Sequence, residues 1–155
     1  LRQEIKLLRY LDSTRPILLT DSGELSSWWE TAGPADEQGT TFYRVTWNPF
    51  SGYFSYPWPA YYYRLKAALI EPWVDNMIVS ELQLEPWAPQ GLHNLSLAEA
   101  QHSLSMDKFN DNIRVFRRTG FKEAFLWGVE WWYYAHDKLG DDNYWQAGRK
   151  LFAPN

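Results

Sequence analysis

The chain has 155 residues and no cysteine, which excludes disulfide bonds and thiolate chemistry. It also lacks an apolar run near the length of about 20 residues that crosses a membrane. The first residues, LRQEIKLL, include several charges, so we predict neither a membrane span nor a signal peptide. No basic stripe appears, and the net charge of −4 argues against nucleic acid as a partner.

The residue types that support several kinds of catalysis are absent or poorly spaced. His93, His102 and His136 show no metal-ligand spacing. A Schiff-base aldolase needs a lysine inside a strand, whereas the lysines here fall on predicted helices or loops, or just before a strand. A Gly-rich phosphate loop is also missing. We therefore predict neither a metal nor a cofactor.

Aromatic residues are the compositional outlier, because ten Trp, ten Tyr and eight Phe form 18% of the chain. Many of them stand side by side near predicted loops, at 28–29, 61–63 and 131–134. Adjacent rings cannot all point into one core, so we expect some of them to line a groove or an interface.

Strand-like runs alternate with helical patterns four times, which indicates a parallel α/β fold in a single domain, 1–155. We expect strands at 17–20, 41–47, 77–81 and 124–129. We expect helices at 1–11, 61–70 and 141–152, and further helices that begin at the capping residues Ser27, Ser96 and Ser105. Long loops follow the second, third and fourth strands, where parallel α/β folds carry their active sites.

The segment NMIVSELQLEPW, residues 76–87, carries the clearest chemical signal. Its apolar run has the content of a buried parallel strand and ends in Glu81 and Glu85, close to Trp73 and Trp87. A carboxylate can serve as nucleophile or proton carrier on a sugar, and flat rings stack on pyranose faces. The alternative is an acidic strand-to-helix loop with ordinary packing tryptophans.

The order of the four strand motifs resembles strands five to eight of the (β/α)8 barrel of the clan A glycoside hydrolases. ILLTDSGE is similar to strand five, and TFYRVTW to strand six, whose Tyr hydrogen-bonds the nucleophile. SELQLEPW is similar to strand seven, which carries the nucleophilic Glu, and FLWGVEWW to strand eight, whose Trp forms the floor of the sugar site. The resemblance implies a (βα)4 half of a TIM barrel, with Glu81 as nucleophile, Tyr43 as its partner and Trp127 as sugar platform.

Further residues near the strand ends are candidates for substrate binding: Asp21, Glu24, Glu85, Trp87, Glu130 and Trp131. Asp21 and Glu24 bind sugar hydroxyls or cap the helix that follows, and the same alternatives apply to Glu130. Glu85 binds a hydroxyl or a loop amide. Structural alternatives also exist for the two central residues, since Glu81 can cap the next loop and Trp127 can belong to a barrel core.

The chain departs from the clan pattern in one important respect. The acid/base Glu of the clan follows an Asn at the end of strand four, and this chain has no Asn-Glu dipeptide and no counterpart of strands one to four. The resemblance therefore implies the nucleophile half of a retaining glycosidase, incomplete without an N-terminal half. The alternative is a non-catalytic carbohydrate-binding or self-assembling half-barrel. Both versions leave open strand edges, so we expect a homo-oligomer or a complementary half as partner.

Overall fold

A computed structural model describes residues 1–153, so residues 154–155 of the predicted domain lie outside the described part. Four parallel strands form the main sheet, and two antiparallel strands form a separate hairpin. The main sheet contains, in spatial order, β1 (Leu18–Asp21), β2 (Glu37–Phe42), β5 (Asn76–Gln83) and β6 (Glu123–Trp127). The hairpin contains β3 (Val45–Asn48) and β4 (Gly52–Ser55).

Helices connect the parallel strands and close the chain. They are α1 (Arg2–Leu11), α2 (Trp29–Ala32), α3 (Ala60–Ile70), α4 (Leu97–Ala100), α5 (Met106–Thr119), α6 (Val129–Leu139) and α7 (Asn143–Leu151). Short 3-10 turns lie at Glu71–Trp73 and Leu92–Asn94.

The predicted parallel α/β arrangement is confirmed, because every pairing within the main sheet is parallel. The first, third and fourth predicted strands lie close to β1, β5 and β6. Each strand lies beside the next parallel strand along the chain. Within residues 1–153, the outer edges of β1 and β6 have no strand partner.

The second strand was predicted at 41–47, and this position is wrong. The parallel strand is β2, whereas the β-branched and aromatic residues that favoured 41–47 span its end and the first strand of the hairpin. β2 is polar in composition, yet Gln38, Thr40 and Phe42 are all fully buried. Gly39 points the other way, where a Cβ atom would lie 2.7 Å from Oγ1 of Thr20. β2 is therefore a buried, closely packed strand even though its own sequence is not apolar.

Two helix predictions also need correction. We expected a long loop after the fourth strand, but α6 begins almost directly after β6 and buries Trp131, Trp132 and Ala135. Ser27 was predicted to cap a helix, but α2 begins only after Trp28, whose φ is 69°.

The other capping predictions are confirmed. Oγ of Ser96 accepts a hydrogen bond from the backbone N–H of Glu99, and Oγ of Ser105 accepts one from the N–H of Lys108. These bonds satisfy N–H groups that have no partner inside their own helix.

The core lies between the main sheet and the helices. Aromatic side chains dominate it, and Trp131, Phe109 and Phe42 are almost completely buried. Ala124 and Leu126 of β6 also pack against this core. Since side chains alternate along a strand, Phe125 and Trp127 project from the opposite face, where they are 54% and 48% exposed.

Candidate functional site

The candidate site lies at the carboxyl ends of β2 and β5, which are neighbours in the sheet. Thr41 lies opposite Glu81 in the register of these strands, and Tyr43 follows β2 directly. The hydroxyl of Tyr43 donates a hydrogen bond to Oε2 of Glu81 over 2.9 Å. The contact that the resemblance implies is therefore present, while the catalytic roles of the two residues remain predictions.

Two buried side chains hold the turn that carries Tyr43. Oε1 of Glu24 accepts the backbone N–H of Tyr43 at 2.9 Å. Oε1 of Gln83 accepts the N–H groups of Arg44 at 2.8 Å and Val45 at 3.1 Å. Nε2 of Gln83 donates to the carbonyl oxygen of Val45 at 2.6 Å. The backbone at the end of β2 is therefore fixed by side chains from β5 and from the loop after β1.

Two open cavities meet at Tyr43 and Trp87, whose rings pack edge to face with centroids 5.1 Å apart. We call them the Glu81 cavity, of about 310 Å³, and the Glu85 cavity, of about 360 Å³. Tyr56 also lines the Glu81 cavity, and Trp127 lines the Glu85 cavity. Trp87 and Trp127 are 45% and 48% exposed, so both rings have free surface on which a sugar can stack.

Burial governs the proton affinities around these cavities. Burial raises the pKa of Glu85, the charge of Glu130 raises it further, and the indole N–H that Trp127 donates over 2.7 Å opposes the rise. Burial, followed by the hydrogen bond to Glu81, raises the pKa of Tyr43 far above its usual value. Tyr43 is therefore a neutral hydrogen-bond donor throughout the neutral range.

Glu24 is only 5% exposed, and protein groups occupy both of its carboxylate oxygens. Besides the N–H of Tyr43, it accepts the hydroxyl of Thr41 at 3.0 Å and that of Tyr63 at 3.1 Å. Burial raises the pKa of Glu24, and these hydrogen bonds oppose the rise. Three protein donors therefore bind its oxygens, and Glu24 also lines the Glu81 cavity.

Lys66 lies beneath the loop that carries Glu24. Its Nζ donates to the carbonyl oxygen of Gly23 at 2.8 Å and lies 3.9 Å from the ring centroid of Trp28. Burial lowers the pKa of Lys66 to about 8, although the charges of Glu24 and Asp21 oppose this. The ammonium group therefore belongs to the support of the site rather than to its surface.

Three other candidates lie away from the two cavities. Asp21 accepts the backbone N–H of Ser22 at 2.8 Å and the hydroxyl of Ser26 at 2.5 Å, so it supports the loop before α2, but no side chain caps that helix. Trp131 is fully buried in the core, so its ring has no free face for a sugar. Glu130 lies exposed in the first turn of α6, close enough to influence Glu85.

Sequence reasoning missed the importance of Gln83, which is fully buried and bonds to three backbone groups. The available signal was a polar side chain at the buried end of a strand, between Glu81 and Glu85. Tyr63 was also missed, because its partner Glu24 lies 39 positions away.

The described residues contain no group of three or more His, Cys, Asp or Glu side chains that could hold a metal ion. None of the helices within 1–153 is long and apolar enough to cross a membrane. Comparisons of the chain with protein-family models, with curated proteins and with solved structures give no match.

Proposed function

We propose that this chain carries the nucleophile side of a retaining glycoside hydrolase site, with Glu81 as the nucleophile. The observation that carries the proposal is the hydrogen bond from Tyr43 to Oε2 of Glu81 at the carboxyl end of a parallel strand. The partly exposed rings of Trp87 and Trp127 beside it support a sugar as ligand.

The chemistry proceeds in two displacements. The Glu81 carboxylate attacks the anomeric carbon and forms a glycosyl ester, while the bond to the leaving oxygen breaks and that oxygen takes a proton from an acid. Water then attacks the same carbon, gives its proton to a base and releases Glu81. Because Tyr43 binds Oε2, it orients the carboxylate and leaves Oε1 for the attack.

The proton donor comes from outside the four strands in this proposal. A retaining site needs a second carboxyl about 5–5.5 Å from the nucleophile. Glu85 holds a proton more readily than an ordinary Glu, but one of its oxygens binds Trp127 and it lines the neighbouring cavity. A complementary N-terminal half with the clan-type Asn-Glu would supply the acid.

We propose that the sheet is a (βα)4 half of a TIM barrel that associates through its open edges. The sequential order of the parallel strands supports this, because a barrel has the same order. The unpaired outer edges of β1 and β6, as described for residues 1–153, and the exposed rings of Phe125 and Trp127 provide a surface to cover. The partner is an N-terminal half or a second copy related by a two-fold axis.

A non-catalytic carbohydrate-binding module is the second candidate. It would use the same ring surfaces of Trp87 and Trp127, with Glu85 and Glu81 as hydrogen-bonding groups. The missing clan-type acid favours this alternative, because a site without a proton donor binds natural glycosides without cleaving them.

Activated aryl glycosides separate these functions, since a 2,4-dinitrophenolate leaves without a proton donor. We expect the chain to release dinitrophenolate from β-glucosides or β-galactosides, and Glu81→Gln to abolish the release. Glu99→Gln is the matched control, because Glu99 also accepts a tyrosine hydroxyl, from Tyr53 at 2.6 Å, but does not line either cavity.

The same assay identifies the alternatives. Saturable binding in a glycan panel without turnover, even when an N-terminal half is added, would indicate the binding module. Absence of both binding and turnover would leave an assembling half-barrel. Turnover that Glu81→Gln does not change would contradict a nucleophilic Glu81.

A further inference from the structure

Three successive backbone N–H groups follow the end of β2, and each has a side-chain acceptor. Glu24 accepts the first, from Tyr43, and Gln83 accepts the next two, from Arg44 and Val45. The chain at this point leaves the parallel sheet and enters the hairpin. Two side chains thus take the place of a neighbouring strand in setting the backbone of Tyr43.

Both acceptors are themselves held rigidly. Gln83 is fully buried on β5, and Glu24 is 5% exposed. The Glu24 loop lies directly against the end of β2, because a Cβ atom on Gly23 would lie 2.0 Å from the carbonyl oxygen of Thr41. The bond from Lys66 to the carbonyl oxygen of Gly23 fixes this loop from below.

We infer that Glu24 and Gln83 are positioning residues that act through Tyr43, orienting its hydroxyl towards Glu81. A carboxylate is costly to bury unless its oxygens are hydrogen-bonded. The oxygens of Glu24 bind one N–H and two hydroxyls, so this side chain fixes the positions of the groups around it. The assignment rests on the proposed function in treating Glu81 as the working carboxylate.

The direction of the effect follows from this placement. Loss of Glu24 frees the backbone of Tyr43 and lets its ring turn away from Glu81. Glu24 makes no hydrogen bond to Trp87 or Trp127. Loss of Glu24 should therefore leave these rings free to stack on a sugar. We therefore expect a Glu24 variant to lower kcat on an activated glycoside more than it raises KM.

The test observes the Tyr43 hydroxyl directly, in protein labelled with 13C at the ζ carbon of tyrosine. The chain has ten Tyr, and Tyr43→Phe assigns the Tyr43 signal. Glu81→Ala gives the position of that signal when the hydrogen bond is absent. We expect Glu24→Ala to move the signal most of the way to that position. Glu99→Ala, the control, should move the Tyr53 signal and leave that of Tyr43 unchanged.

Glu24→Leu serves as the second variant if the alanine protein does not fold. Its side chain fills a similar volume but cannot accept the N–H of Tyr43, so the Tyr43 signal should shift in the same direction. A Tyr43 signal at its wild-type position in the folded Glu24 variant would overturn the inference. This result is independent of the proposed function, because the spectra require neither sugar nor turnover.

Discussion

The hydroxyl of Tyr43 donates to the carboxylate of Glu81 over 2.9 Å, although the residues are 38 positions apart in the chain. Parallel pairing of β2 with β5 brings them together, since it places Thr41 opposite Glu81. Because burial raises the pKa of Tyr43, its hydroxyl stays protonated in the neutral range and remains a donor to this carboxylate.

Tyr43→Phe tests the energetic value of this contact. A hydrogen bond to a charged group contributes about 1.5–3 kcal/mol, so turnover of a dinitrophenyl glycoside should fall by about ten- to a hundredfold. Steady-state kinetics measures the change, which should appear in kcat with little effect on KM. Tyr53→Phe removes a Tyr–Glu hydrogen bond that lies outside both cavities and should leave the rate unchanged. Equal rates for wild type and Tyr43→Phe would show that the contact has no part in the reaction.

Lys66 makes folding stability depend on pH in the basic range. Burial lowers its pKa from the ordinary 10.5 to about 8, so between these values the unfolded chain binds a proton that the folded chain has lost. Stability therefore rises with pH above 8, by an amount on the order of 1–3 kcal/mol in full. Above about pH 10, Tyr43 and Tyr63 reverse the trend, because their raised pKa values let them ionise only when unfolded.

Urea unfolding at pH 7.5, 8.5 and 9.5 measures this dependence. We expect the free energy of unfolding to increase along the series in the wild type. Lys66→Met keeps an apolar chain against the ring of Trp28 but has no titrating group, so its free energy of unfolding should rise much less than that of the wild type. The remaining rise comes from Lys108, whose pKa burial also lowers. A wild-type stability that falls from pH 8 to 9.5 would contradict a depressed Lys66 pKa.

Gly128 joins β6 to α6 at a point where the backbone passes very close to the loop after β5. A Cβ atom there would lie 2.3 Å from the carbonyl oxygen of Leu84, which also accepts the indole N–H of Trp132. Gly128→Ala should lower the free energy of unfolding by about 1–3 kcal/mol, as overpacking does. Gly91→Ala is the control, since its Cβ meets no atom within 4 Å. Thermal melts that show equal losses for both variants would contradict the close approach.

The exposed face of the sheet predicts association. Phe125 is 54% exposed on a strand whose alternate residues are packed in the core, and burying a large apolar side chain yields about 1.5–3 kcal/mol. Light scattering at micromolar concentration should give a mass above that of one chain, and Phe125→Glu should reduce it. Phe50→Glu, at a residue that is 99% exposed in the hairpin turn, should not reduce it. A cooperatively melting monomer would contradict the half-barrel proposal itself.

The fold could be predicted from the sequence where the buried segments are also apolar. The run before Glu81 is apolar and forms part of β5, and Ser105 caps α5 as expected. β2 escaped prediction because its buried face carries Gln38 and Thr40, whose environment depends on the helices that cover them. A propensity pattern contains no information about such long-range burial.

The site could be predicted only in part, because some of its contacts depend on long-range packing. Tyr43 and Glu81 could be paired from the order of motifs, since parallel strands bring their carboxyl ends to one edge. The role of Glu24 depends on three hydrogen bonds to residues far along the chain. The burial of Trp131 depends on how α6 packs, so the sequence alone could not distinguish it from an exposed ring. Contacts of this kind appear only once the elements are packed.

Covalent trapping tests the nucleophile most directly. A 2-deoxy-2-fluoro-β-glycoside with a dinitrophenolate leaving group forms the glycosyl ester without a proton donor, and the fluorine slows its hydrolysis. After incubation with the glucoside or galactoside, we expect the intact mass to rise by one fluoroglycosyl group, located by peptide mapping on Glu81 and absent from Glu81→Gln. A label on another residue, a label that persists in Glu81→Gln, or saturable binding without any label would contradict a nucleophilic Glu81.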